Sequence, residues 1–527
     1  MKKNYLFILF LFFNICITHA QVQEWVWANT TIGTEALSQA NAVAVAPDGS
    51  VYSGGSFMLS TITLGTETIT NTGNYLNPFL VKYNSDGVVE WTKGVSVTSE
   101  TSFITGITTD VTGFVYVIGR FLGAVGFDDF SLTNATYSSF IAKFDSQGNA
   151  LWLKQVGIGE YSTINDIKII GDLIYVAGNF SESISFPSET LAANGEHDIY
   201  IAQYDLEGNQ YWASSFGGTG NDYNPSIAID SDMNIYVTGT FKSSLLTFAG
   251  STMTNQGETD IFLVKYDNLH QPQWIKTYGS TSNDTANSLE VDVFDNLFAS
   301  YTIRNSINIE GENITAVGYH DSVIVKYNPA GDFLWYETLS GPGTEIITDI
   351  ITNSAGQLFL TGSTYSDTIS FANNEFELPG ISRMFLSMLN SDGSFGWFVH
   401  AGGMDGTEAY SIDLHNSTIV VSGQSMEITF GNTTLNTGYD MYVAKFLAEE
   451  ELGIKDYSYP HVTVYPNPAK NTIQIDGIPN LPYTIFDLSS RTIAKGIIKE
   501  NSIDVSILPS GIYLLNVNNS TTKFIKE

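Results

Sequence analysis

Seven acidic residues recur along the chain at nearly constant spacing, with successive gaps of 65, 60, 62, 62, 61 and 63 residues. If the chain closes into a ring, these carboxylates share one face and form an acidic ring at the mouth of a central channel. Such a ring would attract a cation or a basic ligand. Its members are Glu35, Glu100, Glu160, Asp222, Asp284, Glu345 and Glu408.

The same spacing also has a purely structural interpretation. Each carboxylate can accept backbone N–H bonds inside its own loop and so help to build one repeat. An element that returns in every repeat serves the repeat more often than it serves a single ligand. We therefore favour the structural role and keep the acidic ring as the alternative.

Two His-Asp pairs, His197-Asp198 and His320-Asp321, occupy the same place in two repeats. A metal site or an acid–base pair would require two non-adjacent repeats to cooperate, so we favour a strand-starting aspartate with an incidental histidine. The chain has no Gly-x-Ser-x-Gly and no His-Glu-x-x-His motif. The sequence predicts no catalytic residue, no metal site and no cofactor.

The elements that carry these residues belong to an internal repeat. The phrase FLVKYNSDGVVEW ends at Trp91 and returns in variant form, with tryptophans spaced 61, 60, 62, 61 and 62 residues apart. A second phrase, NIYVTGTF around Tyr236, occurs in seven variants. Each repeat reads as four short strands, A to D, with alternating apolar residues, and an Asn or Asp opens the C-to-D turn that Gly closes.

Four strands repeated about seven times predict an all-β fold, a seven-bladed β-propeller over residues 21–449. The face that carries the D-to-A and B-to-C loops is expected to hold the binding site, because binding residues concentrate on long loops.

The two ends of the repeat region are complementary. VQEWVW at residues 22–27 resembles a D strand without a preceding C strand, and MYVAKFLAEE, near Tyr442, is a C strand without a following tryptophan. We expect the strand around Trp25 to pair with the strand around Tyr442, which closes the ring and removes two exposed edges.

The repeat phrases, from the aromatic-apolar-Lys-Tyr-Asp run to the Tyr-Val-x-Gly run, resemble the bacterial β-propeller repeat family that is common in secreted proteins. The resemblance spans residues 22 to about 446. It implies the propeller fold and no particular activity, since propellers host many unrelated functions.

Charge and targeting signals narrow the function classes. Acids outnumber bases 55 to 22, for a net charge of -33, which argues against nucleic acid as a partner. Residues 1–20 read as a secretory signal peptide with Lys2 and Lys3 before an apolar run. The single cysteine, Cys16, lies inside that signal. No later segment is long and apolar enough to predict a transmembrane helix.

The tail differs in character from the repeats. After a linker at residues 450–460, residues 461–527 predict a small β-sandwich with Pro, Asn and Gly between its strands. Its phrases resemble the type A C-terminal sorting domain of the type IX secretion system. The residues that carry this resemblance are Pro466, Asn467, Pro468, Gly511 and Tyr513.

That resemblance implies export through the periplasm and across an outer membrane, with the type IX outer-membrane machinery as a partner. We expect a secreted or surface-exposed, non-enzymatic module that binds a glycan or a protein. The alternative is a carbohydrate-active enzyme, a glycoside hydrolase or lyase, with acidic residues at the channel mouth.

Overall fold

The computed structural model describes residues 24–31, 37–58, 61–71, 75–95, 97–98, 100–378, 380–402, 406–448, 464–475, 482–486, 492–499, 502–517 and 520–527. The expected signal peptide at 1–20 with Cys16, the expected linker at 450–460 and Glu35 lie outside the described residues. Among the residues described, all regular structure is β-strand.

The chain divides into two compact units, residues Met1–Ala448 and Glu449–Glu527. In the first half of the larger one, the strands in chain order are β1 (Glu24–Thr30), β2 (Ser38–Val45), β3 (Val51–Phe57), β4 (Thr61–Leu64), β5 (Glu67–Thr70), β6 (Asn77–Tyr83), β7 (Val89–Gly94), β8 (Val97–Thr98), β9 (Ser102–Thr109), β10 (Val115–Phe127), β11 (Phe130–Phe144), β12 (Ala150–Val156), β13 (Ile158–Ile170), β14 (Leu173–Ser185), β15 (Thr190–Ala192), β16 (Asp198–Asp205) and β17 (Gln210–Phe216).

In its second half they are β18 (Asp222–Ile229), β19 (Ile235–Phe241), β20 (Leu245–Phe248), β21 (Ser251–Thr254), β22 (Asp260–Tyr266), β23 (Pro272–Tyr278), β24 (Thr285–Val291), β25 (Leu297–Ile303), β26 (Ser306–Ile309), β27 (Glu312–Thr315), β28 (Asp321–Tyr327), β29 (Phe333–Ser340), β30 (Glu345–Thr352), β31 (Leu358–Thr364), β32 (Thr368–Phe371), β33 (Asn374–Glu377), β34 (Arg383–Leu389), β35 (Phe395–Gly402), β36 (Glu408–His415), β37 (Thr418–Phe430) and β38 (Thr433–Leu447).

Antiparallel pairing groups these strands into seven four-stranded sets, which we call units 1 to 7. In A, B, C, D order they are β2-β3-β6-β7, β9-β10-β11-β12, β13-β14-β16-β17, β18-β19-β22-β23, β24-β25-β28-β29, β30-β31-β34-β35 and β36-β37-β38-β1. Each A strand contacts the A strand of the next unit, and β36 contacts β2, so the units form a closed ring. The fold is an all-β propeller built from these units.

The ring closes through strands from the two ends of the propeller. β1 pairs with β38 over a register from Glu24 opposite Leu447 to Thr30 opposite Tyr442. Thr30 adds a hydrogen bond from its hydroxyl to the carbonyl of Met441, at 2.7 Å. The pairing expected between the strands around Trp25 and Tyr442 is therefore present.

The repeated tryptophan joins neighbouring units. The indole N–H of Trp91 donates to the carbonyl of Ser146, in the C-to-D turn of the next unit, at 3.1 Å. Gly148 of the same turn lies so close to that indole that a Cβ would sit 2.9 Å from it. At the ring closure Trp27 makes the same contact, donating to Ser85. Alignment with VVEW would place Trp25 in this role, but a β-bulge between Trp25 and Trp27 shifts the register.

The lysine of the repeat phrase has a matching structural role. Lys82 Nζ donates to the same Ser146 carbonyl that Trp91 contacts, at 3.2 Å, and Lys445 Nζ donates to Ser85 at 2.9 Å. Trp and Lys therefore bind one turn together, which explains why both residues recur with the period of the unit.

The smaller compact unit contains β39 (Val464–Tyr465), β40 (Thr472–Ile475), β41 (Pro482–Phe486), β42 (Thr492–Ile497), β43 (Ser502–Asp504), β44 (Gly511–Val517) and β45 (Ser520–Lys526). They form a three-stranded sheet, β39-β40-β43, and a four-stranded sheet, β42-β41-β44-β45. Residues from both sheets, such as Ile473 and Leu515, share one buried core. The tail is a small two-sheet β domain, as its strand pattern predicts.

Candidate functional site

The A strands of all seven units line a central channel with a cavity of ≈ 430 Å³. Every A strand contains a β-bulge at the same level, where one residue, or two in unit 4, drops out of the pairing with strand B. A bulge re-aims the extra side chain, and in each unit a bulged residue lines the channel. These residues are Asn41, Thr105, Asn165, Asn224, Asn287, Thr348 and Tyr410.

Several bulged side chains connect neighbouring units. Asn41 donates through Nδ2 to the carbonyl of Ile104 in unit 2, at 2.9 Å, and Thr105 donates to the carbonyl of Ile164 in unit 3, also at 2.9 Å. Each bond gives a backbone carbonyl of the next unit a side-chain donor. The channel wall is therefore polar and is held together across unit boundaries.

Charged groups lie in the same channel. Lys168 in unit 3 forms an ion pair with Glu290 in unit 5, with 2.7 Å between Nζ and Oε2. Asp349 and Asp413 each accept a backbone N–H from the A strand of the following unit, at 3.0 Å from Ile412 and 2.6 Å from Val45. Burial raises the pKa of both carboxyl groups to about 6. Their bonding indicates that the channel carboxylates link the units.

A second and larger cavity, ≈ 740 Å³, opens on the face that carries the D-to-A and B-to-C connections of units 2 to 5. We call it the long-loop cleft. Its volume falls within the range of ligand-binding pockets, about 300 to 1,000 Å³. Its lining combines aromatic rings, amides and cations, among them Phe103, Tyr161, Tyr223, Asn165, Asn179, Asn221, Asn224, Asn283, Arg120, Lys242 and His197.

One wall of the long-loop cleft is aromatic. Arg120 and Phe103 are directly opposite each other on strands B and A of unit 2. The guanidinium carbon lies 4.3 Å from the ring centre of Phe103 and 5.3 Å from that of Tyr137. Tyr137 meets Tyr161 edge to face at 6.1 Å, and Tyr161 meets His197 in the same way at 5.0 Å. These five side chains contact one another in sequence, and all of them except Tyr137 line the cleft.

The polar wall repeats a small hydrogen-bonded motif. Asn221 donates to Glu196, so its oxygen is left to accept from Nδ1 of His197, because an amide oxygen cannot donate. One unit further on, Asn283 donates to Glu258 at 2.8 Å and accepts from the hydroxyl of Thr259 at 3.1 Å.

The two His-Asp pairs are not brought together. His197 lines the long-loop cleft, whereas His320 packs against Tyr319 outside it. The aspartate that follows each histidine opens a C strand, as expected. No group of three or more His, Cys, Asp or Glu side chains suited to hold a metal occurs in the described part of the chain.

The seven acids of the expected ring differ in their surroundings. Among the six that are described, Glu100 and Glu160 are exposed, Glu408 is half-buried, and Asp222, Asp284 and Glu345 are fully buried. A ligand role for the set stays a prediction.

The buried members are held by their own loops. Asp222 accepts the N–H of Gly218 at 2.7 Å and the hydroxyl of Ser243 at 2.9 Å, and Asp284 accepts the N–H of Arg304 at 2.9 Å. Burial raises the pKa of Asp222 to about 6. For Asp222 and Asp284 this geometry supports the structural interpretation.

Sequence reasoning missed Arg120, Phe103 and Lys168. Arg120 and Lys168 are each the one cation at their position in the seven units, and a search for periodic residues passes over such exceptions. Phe103 lies at a variable position that is also aromatic in unit 4, where the residue is Tyr223. Comparison of the seven copies position by position would have found them. At the position of Arg120 the other units carry Ser56, Asn179, Thr240, Thr302, Ser363 and Gln424.

The residues expected to form the sorting signal lie in the tail domain. Asn467 accepts the N–H of Ile525 at 2.9 Å and donates to the carbonyl of Lys523 at 3.2 Å, which fixes the Pro466–Pro468 turn to β45. Gly511 begins β44, and the hydroxyl of Tyr513 donates to the carbonyl of Pro509 at 3.0 Å.

The chain is similar to known propellers in its larger part. It is 24% identical over 440 residues to an uncharacterized WD repeat-containing protein of Acanthamoeba polyphaga mimivirus, covering 70% of this chain and 28% of that protein. It spans about a third or less of the length of the curated relatives it matches.

Among solved structures, the WD40 β-propeller domain of Doa1 matches with a TM-score of 0.42 at 11% identity, covering 82% of this chain and 98% of that one. An ulvan lyase, a polysaccharide lyase, matches with the same score and identity, covering 82% of this chain and 96% of that one.

The tail provides the specific match. Residues 463–527 match the model of the secretion system C-terminal sorting domain. None of the described residues belongs to a helix of the length and apolarity that a membrane span requires. The protein is a β-propeller that carries a type IX sorting domain at its C-terminal end, and it is exported to the cell surface or the extracellular space.

Proposed function

We propose that this exported propeller is a glycan-binding protein that acts without catalysis, and that the long-loop cleft is its binding site. The observation that carries the proposal is the composition of this cleft, in which amide side chains and aromatic rings line one cavity of ≈ 740 Å³.

Amides suit the hydroxyl groups of a sugar because each offers both donors and an acceptor. Five asparagines line the cleft, and the interlocking bonds around Asn221 and Asn283 hold two of them in fixed orientations. Preorganised polar groups lose less entropy when a ligand binds. The aromatic wall of Phe103 and Tyr161 gives the apolar C–H faces of sugar rings a surface to pack on.

The glycoside hydrolase alternative makes a different demand on the site. Glycosidases place two carboxyl groups about 5 to 10 Å apart on opposite sides of the scissile bond. Of the described residues that line the cleft, Glu258 is the one carboxylate, and it is exposed and already accepts a hydrogen bond from Asn283. This arrangement favours binding over hydrolysis.

The proposal is tested by screening the purified, exported protein against immobilised polysaccharides and against isolated surface proteins, with sugar release measured in the same wells. We expect binding to at least one polysaccharide without release of fragments. Tyr161→Ala should weaken that binding about five-fold or more, since it removes the centre of the aromatic wall.

Tyr211→Ala is the matched control, because Tyr211 is 58% exposed and is not a lining residue of the cleft. If the protein binds only surface proteins, its ligand is a protein and not a glycan. If oligosaccharides are released, the protein is an enzyme. If both tyrosine variants lost the same amount of binding affinity, the binding site would not be the cleft.

A further inference from the structure

Arg120 is a cation without an ionic partner among the described residues of an acidic protein. It takes part in none of the ion pairs found among the described residues, which involve Lys82, Lys93, Lys168, Lys276 and Lys326. Its Nε atom is buried and has no hydrogen-bond acceptor within that part of the chain. A buried donor without an acceptor costs about 1 to 3 kcal/mol, so a native structure rarely retains one without a use.

The environment of Arg120 fixes the guanidinium in place. It lies over Phe103 and beside Tyr137, at 4.3 and 5.3 Å from the two ring centres. Stacking on aromatic rings holds the planar fork in one orientation and leaves its N–H edge for another group. Because Arg120 is half-buried and lines the long-loop cleft, a ligand there can reach its guanidinium.

The repeat itself argues that this arginine is not required by the fold. The equivalent strand-B position holds a small polar residue or an amide in the other units, for example Ser56 in unit 1 and Asn179 in unit 3. The residue opposite Arg120, Phe103, corresponds to Thr163 in unit 3. Unit 3 therefore builds the same strand pair with Thr and Asn, and unit 2 carries Phe and Arg in addition.

We propose that Arg120 recognises an acidic group, a carboxylate or a sulfate ester, on the glycan bound in the long-loop cleft. This inference rests on the proposed glycan-binding function and specifies its ligand class. The planar guanidinium donates two parallel hydrogen bonds to either group, a geometry that lysine cannot reproduce. Lys242, exposed on the same cleft, adds a second positive charge.

The net charge of -33 should make the binding of acidic polymers selective for the cleft. The overall field of the protein repels polyanions, although at physiological ionic strength it is screened beyond about 8 Å. A polyanion that binds must therefore do so through a local cation. Non-specific adhesion of acidic polymers to the rest of the surface is correspondingly disfavoured.

The test compares hyaluronan, which carries carboxylates, dextran sulfate, which carries sulfate esters, and neutral dextran. Binding of each polymer to the full-length exported protein is measured by titration calorimetry. Arg120→Asn installs the residue of unit 3 at this position, so the strand pair is expected to fold normally. Arg120→Lys keeps the charge but loses the planar fork.

Arg304→Asn is the matched control. Arg304 also lies over a tyrosine ring, at 4.4 Å from the centre of Tyr319, but it is not one of the residues that line the cleft. We expect wild type to bind hyaluronan or dextran sulfate, and the polymer that binds identifies the acidic group. Arg120→Asn should weaken that binding about ten- to one-hundred-fold, the range for a lost charge-assisted bond. The affinity of Arg120→Lys should lie between those of wild type and Arg120→Asn. The affinity of Arg304→Asn should remain within about two-fold of wild type.

The inference fails if Arg120→Asn binds the acidic polymer as tightly as wild type, or if Arg304→Asn weakens binding equally. It also fails if wild type binds only dextran, but the proposed glycan-binding function then survives. Binding to none of the three polymers overturns the acidic-ligand assignment, and the polysaccharide screen with Tyr161→Ala then decides separately whether any glycan is bound.

Discussion

Lys168 and Glu290 come from units 3 and 5, skip the unit between them and meet in the channel with 2.7 Å between their charged atoms. Burial alone would lower the pKa of Lys168, but Glu290 and Asp166 hold it above its ordinary value. Lys168 is therefore surrounded by carboxylates from several units, and its positive charge reduces the repulsion between them.

Replacing this lysine tests its role. Lys168→Met leaves Glu290, Asp349 and Asp413 without their common cation, so the protein should unfold more easily by about 1 to 2 kcal/mol at pH 7.5. The value lies between those of exposed and buried pairs because the Lys168 side chain remains 32% exposed. Denaturant unfolding measures it. Adding Glu290→Gln to this variant should recover part of the loss, and an unchanged midpoint in Lys168→Met would contradict the prediction.

The buried carboxylate of Asp260 predicts that the stability of the protein depends on pH. Burial raises the pKa of Asp260 to about 6, against about 3.9 in the unfolded chain, and its Oδ1 has no hydrogen-bond partner among the described residues. Since the native state binds the proton more tightly, stability falls as the pH rises from about 4 to 6. Asp260→Asn should therefore stabilise the protein by about 1 to 2 kcal/mol at pH 7.5 and by much less at pH 4.5.

Thermal unfolding at the two pH values measures this difference. Asparagine still accepts the N–H of Gln256, which donates to Asp260 at 2.7 Å, so the hydrogen bond of the loop is retained. Asp172→Asn, in an exposed turn, controls for a general charge effect and should change stability equally at both pH values. A destabilised Asp260→Asn at pH 7.5 would show that the ionised carboxylate is needed.

The closing strand offers a third prediction. Trp25 packs edge to face on Phe430 at 4.6 Å and on Phe446 at 5.1 Å. Trp25→Ala should lower the free energy of unfolding by about 2 kcal/mol, less than for a fully buried tryptophan because Trp25 is half-buried. Val26→Ala on the same strand changes an exposed side chain and should have almost no effect.

Removal of residues 21–28 is the stronger form of this test. It leaves most of the β38 edge without a partner, and unpaired edges promote association. Light scattering should detect aggregation of the shortened protein. A monodisperse product that melts like wild type would mean that β1 is dispensable for closure.

Export is tested through the sorting domain. Removal of residues 463–527 should leave a folded propeller in the periplasm, because the matched domain and the propeller have separate cores. Fusion of residues 450–527 behind a signal peptide and a foreign protein should export that protein in a host with the type IX machinery.

Cell fractionation measures both outcomes, with Arg120→Asn in the full chain as a control that is exported normally. Surface delivery of the shortened protein would refute the role of the domain.

The features that recur with the repeat were predictable from sequence, because a spacing near 61 residues identifies equivalent positions directly. Trp91 and its equivalents mark the repeat in the sequence, and Trp91 joins neighbouring units in the structure. The ring closure followed from the half-repeats at the ends, although the bulge after Trp25 moved the repeated contact to Trp27.

The channel and the cleft were not predictable in the same way. The bulges in the A strands, such as the one at Asn41, are irregularities within an alternating pattern, and the sequence does not mark which residue leaves the ladder. Arg120 and Lys168 each occur in one unit only, so their partners are set by the geometry of the closed ring. Residues that repeat in every unit therefore predict the propeller, whereas residues found in a single unit point to the candidate site.

The pairing of β1 with β38 also has a consequence for how the propeller folds. Thr30 and Met441 are 411 residues apart in the chain, whereas most other strand pairs join neighbours within one unit. Contacts of such long sequence separation form slowly, because the loop between them must first be ordered. We therefore expect the first strand of the propeller to stay unpaired until the last one has been made, so that the ring gains its full resistance to unfolding only when the whole propeller is present.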